Sequence, residues 1–228
     1  GPFEVADAAN HGRIAEPMES DRQIGPVALY NPAESRAWES GGGGLVSTAR
    51  DYSRFLQMML NGGELDGVRI LGPKTIAFMT ADHLGPNIKP GKYYLPGPGY
   101  GFGLGFAVRT SEGLSNVPGS VGEYYWGGAA GTYFWVDPSE DMFVVYMMQS
   151  PKHRVPMRSV LRDMVYGAVV ESGADLFRST SCGSAAAPAQ AEARPRSHRK
   201  RRQRVARGRA RRWLPEMARC GCVRVHSL

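Results

Sequence analysis

The chain has 228 residues, 42% of them hydrophobic, with 29 glycines and 16 prolines, which suffices for one full domain with a sizeable core. No window approaches 18 consecutive apolar residues, so no membrane-spanning helix is expected. The opening Gly1-Pro2-Phe3-Glu4 lacks the basic-then-apolar pattern of a signal peptide. The net charge of +7 hides an uneven distribution. Residues 179–228 hold 13 of the 28 Lys and Arg but two of the 21 acids, Glu192 and Glu216, giving +11 against −4 for residues 1–178.

The composition therefore divides the chain in two. Residues 1–178 are a mildly acidic mixture of apolar, glycine and aromatic residues; residues 179–228 are an Ala/Pro/Ser run followed by an Arg-rich block. The second part buries too little apolar surface to offset a backbone ordering cost of roughly 1–2 kcal/mol per residue, so a disordered tail is expected. Its basic stretch, 194–212, is a weak candidate for nucleic-acid contact. Trp213 is the tail's lone aromatic, so base stacking has little support. A solvated tail and out-of-frame translation of a GC-rich gene are the competing readings. All three cysteines, Cys182, Cys220 and Cys222, lie in this tail, so residues 1–178 have neither a disulfide framework nor a cysteine metal site, and the compartment stays open.

Residues 1–40 read as irregular chain with at most one strand, around 24–30. Gly41-Gly42-Gly43-Gly44 permits close backbone approach. Thr48 and Asp51 then form a capping-box-like pair, and Tyr52, Phe55, Leu56, Met59 and Leu60 follow the spacing of one buried helical stripe. Asn61-Gly62-Gly63 ends that helix. A hairpin is expected around Asp66-Gly67, and a second helix from Pro73 through Ile76 to Met79. The stretch 84–99 is a loop stiffened by proline. From Tyr100 to Val108, glycines alternate with Tyr100, Phe102, Leu104 and Phe106, a strand with one bare face.

Two further strands are expected, one ending at Val136 and one over 142–149, joined by the turn 137–141. The second is apolar on both faces, as a central strand is. A final helix near Pro156 presents Val160, Leu161, Met164, Val165 and Val169 to the sheet. Helix, helix, three antiparallel strands and helix make an α/β (α+β) layer architecture rather than alternating βαβ units.

Three segments together, 41–80, 99–108 and 126–138, resemble the penicillin-recognising serine hydrolases: class C β-lactamases, DD-peptidases and β-lactamase-like esterases. The resemblance covers about residues 1–175. It implies a β-lactamase/transpeptidase-like fold, an antiparallel sheet flanked by helices, of which this chain resembles the C-terminal half. In that family a Ser-x-x-Lys motif supplies nucleophile and base, a Tyr-x-Asn or Ser-x-Asn motif assists proton transfer, and a Lys-Thr-Gly-like triplet lies on a sheet strand. Trp126-Gly127-Gly128 stands where the triplet belongs. By that resemblance Gly128 lets the strand sit close to nucleophile and substrate, and the N–H of Ala129 is an oxyanion donor. Tyr124 and Tyr125, with Glu123 before them, are candidates to line the pocket, and solvent-facing strand residues are the equal alternative. Trp126 in place of Lys or His removes a cation that would pair with a β-lactam carboxylate, which favours a neutral ester or amide. A core aromatic is the plainer reading of the same residue.

The nucleophile motif is missing from the first part. Ser197-His198-Arg199-Lys200 is the single Ser-x-x-Lys, a chance match inside the basic tail, and Ser47-Thr48-Ala49-Arg50 ends in an arginine that cannot act as a base. Neither Tyr-x-Asn nor Tyr-x-Ser occurs. No nucleophile or general base is therefore assigned in this chain, which is expected to be catalytically silent alone. A non-catalytic fragment or split-protein subunit is the rival reading. His11, His83 and His153 lack metal-ligand spacing, so neither metal nor cofactor is expected. The implied partner is a small-molecule ester, amide or β-lactam, in a bacterial-type cytoplasm or periplasm.

Overall fold

A computed structural model describes residues 8–21, 23–24, 27–28, 31, 33, 45–88, 91 and 94–172. The Gly41–Gly44 run and the whole basic tail, with its three cysteines, lie outside the described residues.

The first described segment forms 3-10 turns at Ala8–Arg13 and Glu19–Asp21, then a short hairpin of β1 (Gln23–Ile24) and β2 (Val27–Ala28). Helix α1 (Ala49–Leu60) starts where the capping pair places it. Thr48 Oγ1 accepts from the Asp51 N–H at 3.1 Å and donates to the Asp51 carboxylate at 2.9 Å. Gly62 and Gly63, at φ +70° and +99°, turn the chain out of the helix. Strands β3 (Glu64–Leu65) and β4 (Val68–Arg69) pair across Asp66 and Gly67, both left-handed, as the hairpin reading expects. Helix α2 occupies Pro73–Met79, with the proline in its first turn.

The main sheet has five antiparallel strands in sequential order: β5 (Tyr100–Phe102), β6 (Ala107–Arg109), β7 (Tyr124–Gly127), β8 (Tyr133–Asp137) and β9 (Met142–Tyr146). Strand β7 carries the triplet that the resemblance places on a sheet strand, and one strand beyond expectation comes from 100–108. The stretch 100–108 is not one strand but a hairpin, with Gly101 opposite Val108 and the chain reversing at Gly103–Phe106, where Gly105 sits at φ +95°. Gly103 also lies against the carbonyl of Met79, leaving no room for a side chain, and the Leu104 N–H donates to that same carbonyl at 2.8 Å. Leu104 thereby points outward instead of joining Phe102 and Phe106 on one face. The bare face does admit a neighbour: a Cβ on Gly101 would meet the Asp82 carboxylate, which accepts from the Phe102 N–H at 3.1 Å.

Strand β9, expected to be central, is the outermost strand among the described residues, with β8 as its one neighbour. It is apolar on both sides because helices cover both faces of the sheet. On one face Phe106, Val108, Tyr124, Phe134, Val136 and Val145 pack with Leu56, Met58 and Met59 of α1 and Ile76 of α2. On the other, Tyr133, Trp135, Met142 and Val144 pack with Val165 of helix α3 (Arg154–Gly167) and with Leu161 and Tyr166 around it.

The expected stripe of α3 is half right. Leu161 and Val165 face the sheet, while Val160 and Met164 are 48% and 69% exposed. The buried places belong to Arg162, fully buried, and Arg158, half-buried. The sheet face beneath them is aromatic: the Arg162 guanidinium lies 4.6 Å from the Trp135 ring centre and 5.4 Å from that of Tyr125. A long apolar stem under a delocalised cation fits such a surface. α1 departs less from expectation: Met58 is buried and Phe55 is partly exposed.

Candidate active site wall

Strand β7 ends in the residues that the sequence singled out. It pairs with β8 along its whole length, from Tyr124 opposite Val136 to Gly127 opposite Tyr133, but with β6 only through Tyr124 and Tyr125. Trp126, Gly127 and the turn beyond them thus extend past the end of β6, with a paired strand on one side. The turn closes through the Gly128 N–H to Thr132 O at 2.8 Å and the Gly131 N–H to Gly128 O at 3.2 Å, with Gly131 at φ +118°.

Three successive carbonyls of this turn are held from the α3 side. Arg158 Nη2 donates to Gly128 O at 2.9 Å, Arg154 Nη1 to Ala129 O at 3.2 Å, and the Ser150 N–H to Ala130 O at 2.7 Å. Ala129 itself is exposed, and among the described residues its N–H has no acceptor. What the turn offers chemically is therefore an amide donor without an acceptor, on an exposed residue between held carbonyls.

The two glycines of the triplet serve neighbours inside the chain. A Cβ on Gly127 would lie 2.3 Å from Arg158 Nη2, and one on Gly128 would lie 2.3 Å from the Thr132 hydroxyl. Trp126 is half-buried, its ring edge-on to Phe102 with centres 5.1 Å apart, and it packs against the cluster under α1. Tyr124, two residues earlier on the same face, is 2% exposed and tilted against Phe106. Tyr125 is on the opposite face, with its hydroxyl donating to Pro96 O at 2.7 Å. Burial pushes the hydroxyls of both tyrosines above their ordinary range.

Glu123 is neither solvent-facing nor part of the turn. It is fully buried, and its carboxylate accepts from Arg109 Nε at 2.9 Å, from the Tyr100 hydroxyl at 2.7 Å and from Arg162 Nη1. Tyr166 joins from α3, its hydroxyl 3.1 Å from Glu123 and 2.7 Å from Asp137. Burial, then the charge of Glu123, pushes the Tyr100 hydroxyl up to about 12. Gly119, at φ +146°, leaves the space that the Glu123 carboxylate fills. Arg109 and Arg162 are absent from the residues the sequence pattern points to; their one signal is a cation at a buried position of a strand and of a helical stripe.

A second cluster adjoins the turn. Ser150 donates to the Asp21 carboxylate and lies 2.9 Å from His153 Nδ1, while the Lys152 N–H donates to Asp21 at 2.9 Å. The serine hydrogen bond, foremost, holds the Asp21 carboxyl below its ordinary value. Asp, Ser and His meet here, but serine stands between the other two, and the imidazole is 3.8 Å from the carboxylate. An acyl-transfer relay needs the imidazole in the middle. This cluster is a latch between residues 20–21 and the start of α3. Neither His11 nor His83 joins it, and among the described residues no group of three or more His, Cys, Asp or Glu could hold a metal. No described helix is long and apolar enough to cross a membrane.

Residues 3–165 match the family model Beta-lactamase. Protein Rv1367c of Mycobacterium tuberculosis is 41% identical over 132 residues, which cover 55% of this chain and 32% of the relative. A putative D-alanyl-D-alanine carboxypeptidase of Salmonella paratyphi B is 27% identical over 159 residues, covering 66% and 34%. Among solved structures, EstCE1, described as a hydrolase with promiscuous acyltransferase activity, aligns with a TM-score of 0.49 and 32% identity over 59% of this chain and 33% of that one. The chain thus spans about a third of the length of these relatives.

Proposed function

The chain belongs to the Beta-lactamase family, and from that premise we propose that residues 1–178 are the C-terminal portion of a serine hydrolase acting through an acyl-enzyme, with 179–228 a separate basic tail. The turn after β7 is the wall of its active site. Trp126 provides an apolar face and Ala129 an oxyanion donor. The serine and its base come from a sequence segment carrying Ser-x-x-Lys.

The observation that carries this reading is the N–H of the exposed residue Ala129, free of any acceptor among the described residues, at the point where β7 outruns β6. Such a donor stabilises the oxyanion of a tetrahedral intermediate, and its loss typically costs about 10²–10³ in rate. The substrate is a carboxylic ester, amide or β-lactam. A neutral ester or amide is favoured, because Trp126 places a ring where a carboxylate-binding cation would otherwise stand.

A fluorophosphonate label with peptide mapping tests the proposal, applied to this chain alone and to a protein joining it to its Ser-x-x-Lys segment. The joined protein should take the label on the Ser-x-x-Lys serine and hydrolyse short acyl esters faster than a β-lactam. Label on a serine of these 228 residues alone would overturn the assignment.

A further inference from the structure

We infer that Arg158 is a positioning residue of this wall: its guanidinium, by holding the Gly128 carbonyl, aims the Ala129 N–H and strengthens it as a donor. The inference rests on the reading of Ala129 as an oxyanion donor. The Gly128 carbonyl and the Ala129 N–H belong to one peptide unit. A trans peptide is planar, with C=O and N–H pointing in opposite directions. A cation that fixes the carbonyl toward α3 therefore fixes the N–H away from α3.

The turn needs such a constraint. Gly127, Gly128 and Gly131 leave its backbone with wide conformational freedom. The guanidinium is itself held, 2.9 Å from Gly128 O, 3.4 Å from Thr132 O and 5.1 Å from the Tyr133 ring centre. Gly127 is the residue that makes room for it, because any Cβ there would collide with Nη2 and Cζ.

The charge of Arg158 is unusual for its setting. Its neighbour one turn on, Arg162, is matched by Glu123, whereas no carboxylate pairs with Arg158 among the described residues, and its Nε, though buried, has no hydrogen-bond partner. Burial pulls this guanidinium below its ordinary value, which is the cost of an unmatched cation. A role confined to stability would be served by a neutral side chain there. An unmatched positive charge behind a peptide polarises it, drawing density toward the carbonyl and leaving the N–H a stronger donor. It also points a favourable field at the place where an oxyanion develops.

The experiment uses Arg158→Met, which removes charge and donor, and Arg158→Gln, which keeps a neutral donor. In the isotope-labelled 228-residue chain, the Gly128 carbonyl carbon and Ala129 amide resonances should both move in Arg158→Met and move less in Arg158→Gln. In the protein joined to its Ser-x-x-Lys segment, Arg158→Met should lower kcat for a short acyl ester about 10- to 100-fold, a fraction of a lost donor, with KM little changed and partial rescue by added guanidinium. Unmoved resonances, or a kcat within about twofold, would overturn the role of Arg158 while leaving the wall itself standing. Moved resonances with no acyl-enzyme in the joined wild-type protein would overturn the site reading and this role with it.

Discussion

Arg162 of α3 and Glu123, the residue immediately before β7, form an ion pair with both side chains fully buried. The pair ties the last described helix to the strand that carries the Trp126–Ala129 turn. Arg109, Tyr100 and Tyr166 also bond the Glu123 carboxylate, and Arg162 Nε donates to the Tyr133 hydroxyl at 3.0 Å, while Arg162 Nη2 is buried without a hydrogen-bond partner. A buried carboxylate between two guanidinium groups is tolerable only when so satisfied.

Removing one member leaves the others charged, desolvated and unmatched. Glu123→Ala should therefore destabilise the chain by about 3–5 kcal/mol, read from urea unfolding. Glu123→Gln, which keeps an acceptor oxygen, should cost less. Equal, small losses in both would show that the network contributes little.

The Asp21 latch gives a pH dependence of defined sign. Its carboxyl is held below the ordinary 3.8, so the folded state prefers the ionised form. That contribution is complete above about pH 4 and is lost as the pH falls through the lowered value. Thermal melts from pH 6 to pH 2.5 should show an acid-side loss that is smaller in Asp21→Asn. A parallel decline in both proteins would count against the latch.

Leu56, fully buried between α1 and the sheet, should cost about 2–5 kcal/mol as alanine, through lost transfer energy and the cavity left behind. Phe55 beside it is 37% exposed and should cost distinctly less. A reversed order would mean that the helix packs by its other face.

Gly127→Ala should act at a distance of one residue. The new Cβ would occupy the place of Arg158 Nη2, so the guanidinium must leave the Gly128 carbonyl. The Ala129 amide resonance should then move as it does in Arg158→Met, and the double variant should add little. Full additivity of the two shifts would indicate separate effects.

Local features were legible in the residues themselves. The Thr48–Asp51 cap, the glycine exit at 62–63, the Asp66-Gly67 hairpin and the helix opening at Pro73 depend on contacts within a few positions, where side-chain chemistry and backbone freedom settle the outcome. The triplet Trp126-Gly127-Gly128 was visible as a pattern, and so was the family. The split of 100–108 into a hairpin was not, because alternation of glycine with large residues describes a strand and a tight reversal equally well. What decides is the Met79 carbonyl against Gly103, a neighbour some two dozen residues away.

The sequence by itself determined the ends of the first helix, the Asp66-Gly67 turn, the start of the second helix at Pro73, the basic second part and the kinship of the first. Only the tertiary structure decided that Arg158 and Arg162 face inward, that Glu123 is buried, and that the glycines of the triplet make room for a guanidinium and a hydroxyl. Charged residues on a helix ordinarily read as its solvated side. They lie inside here because the sheet face beneath them is built of Tyr125, Tyr133 and Trp135, contributed by strands remote in the chain, and because Glu123 meets Arg162 only after those strands have paired.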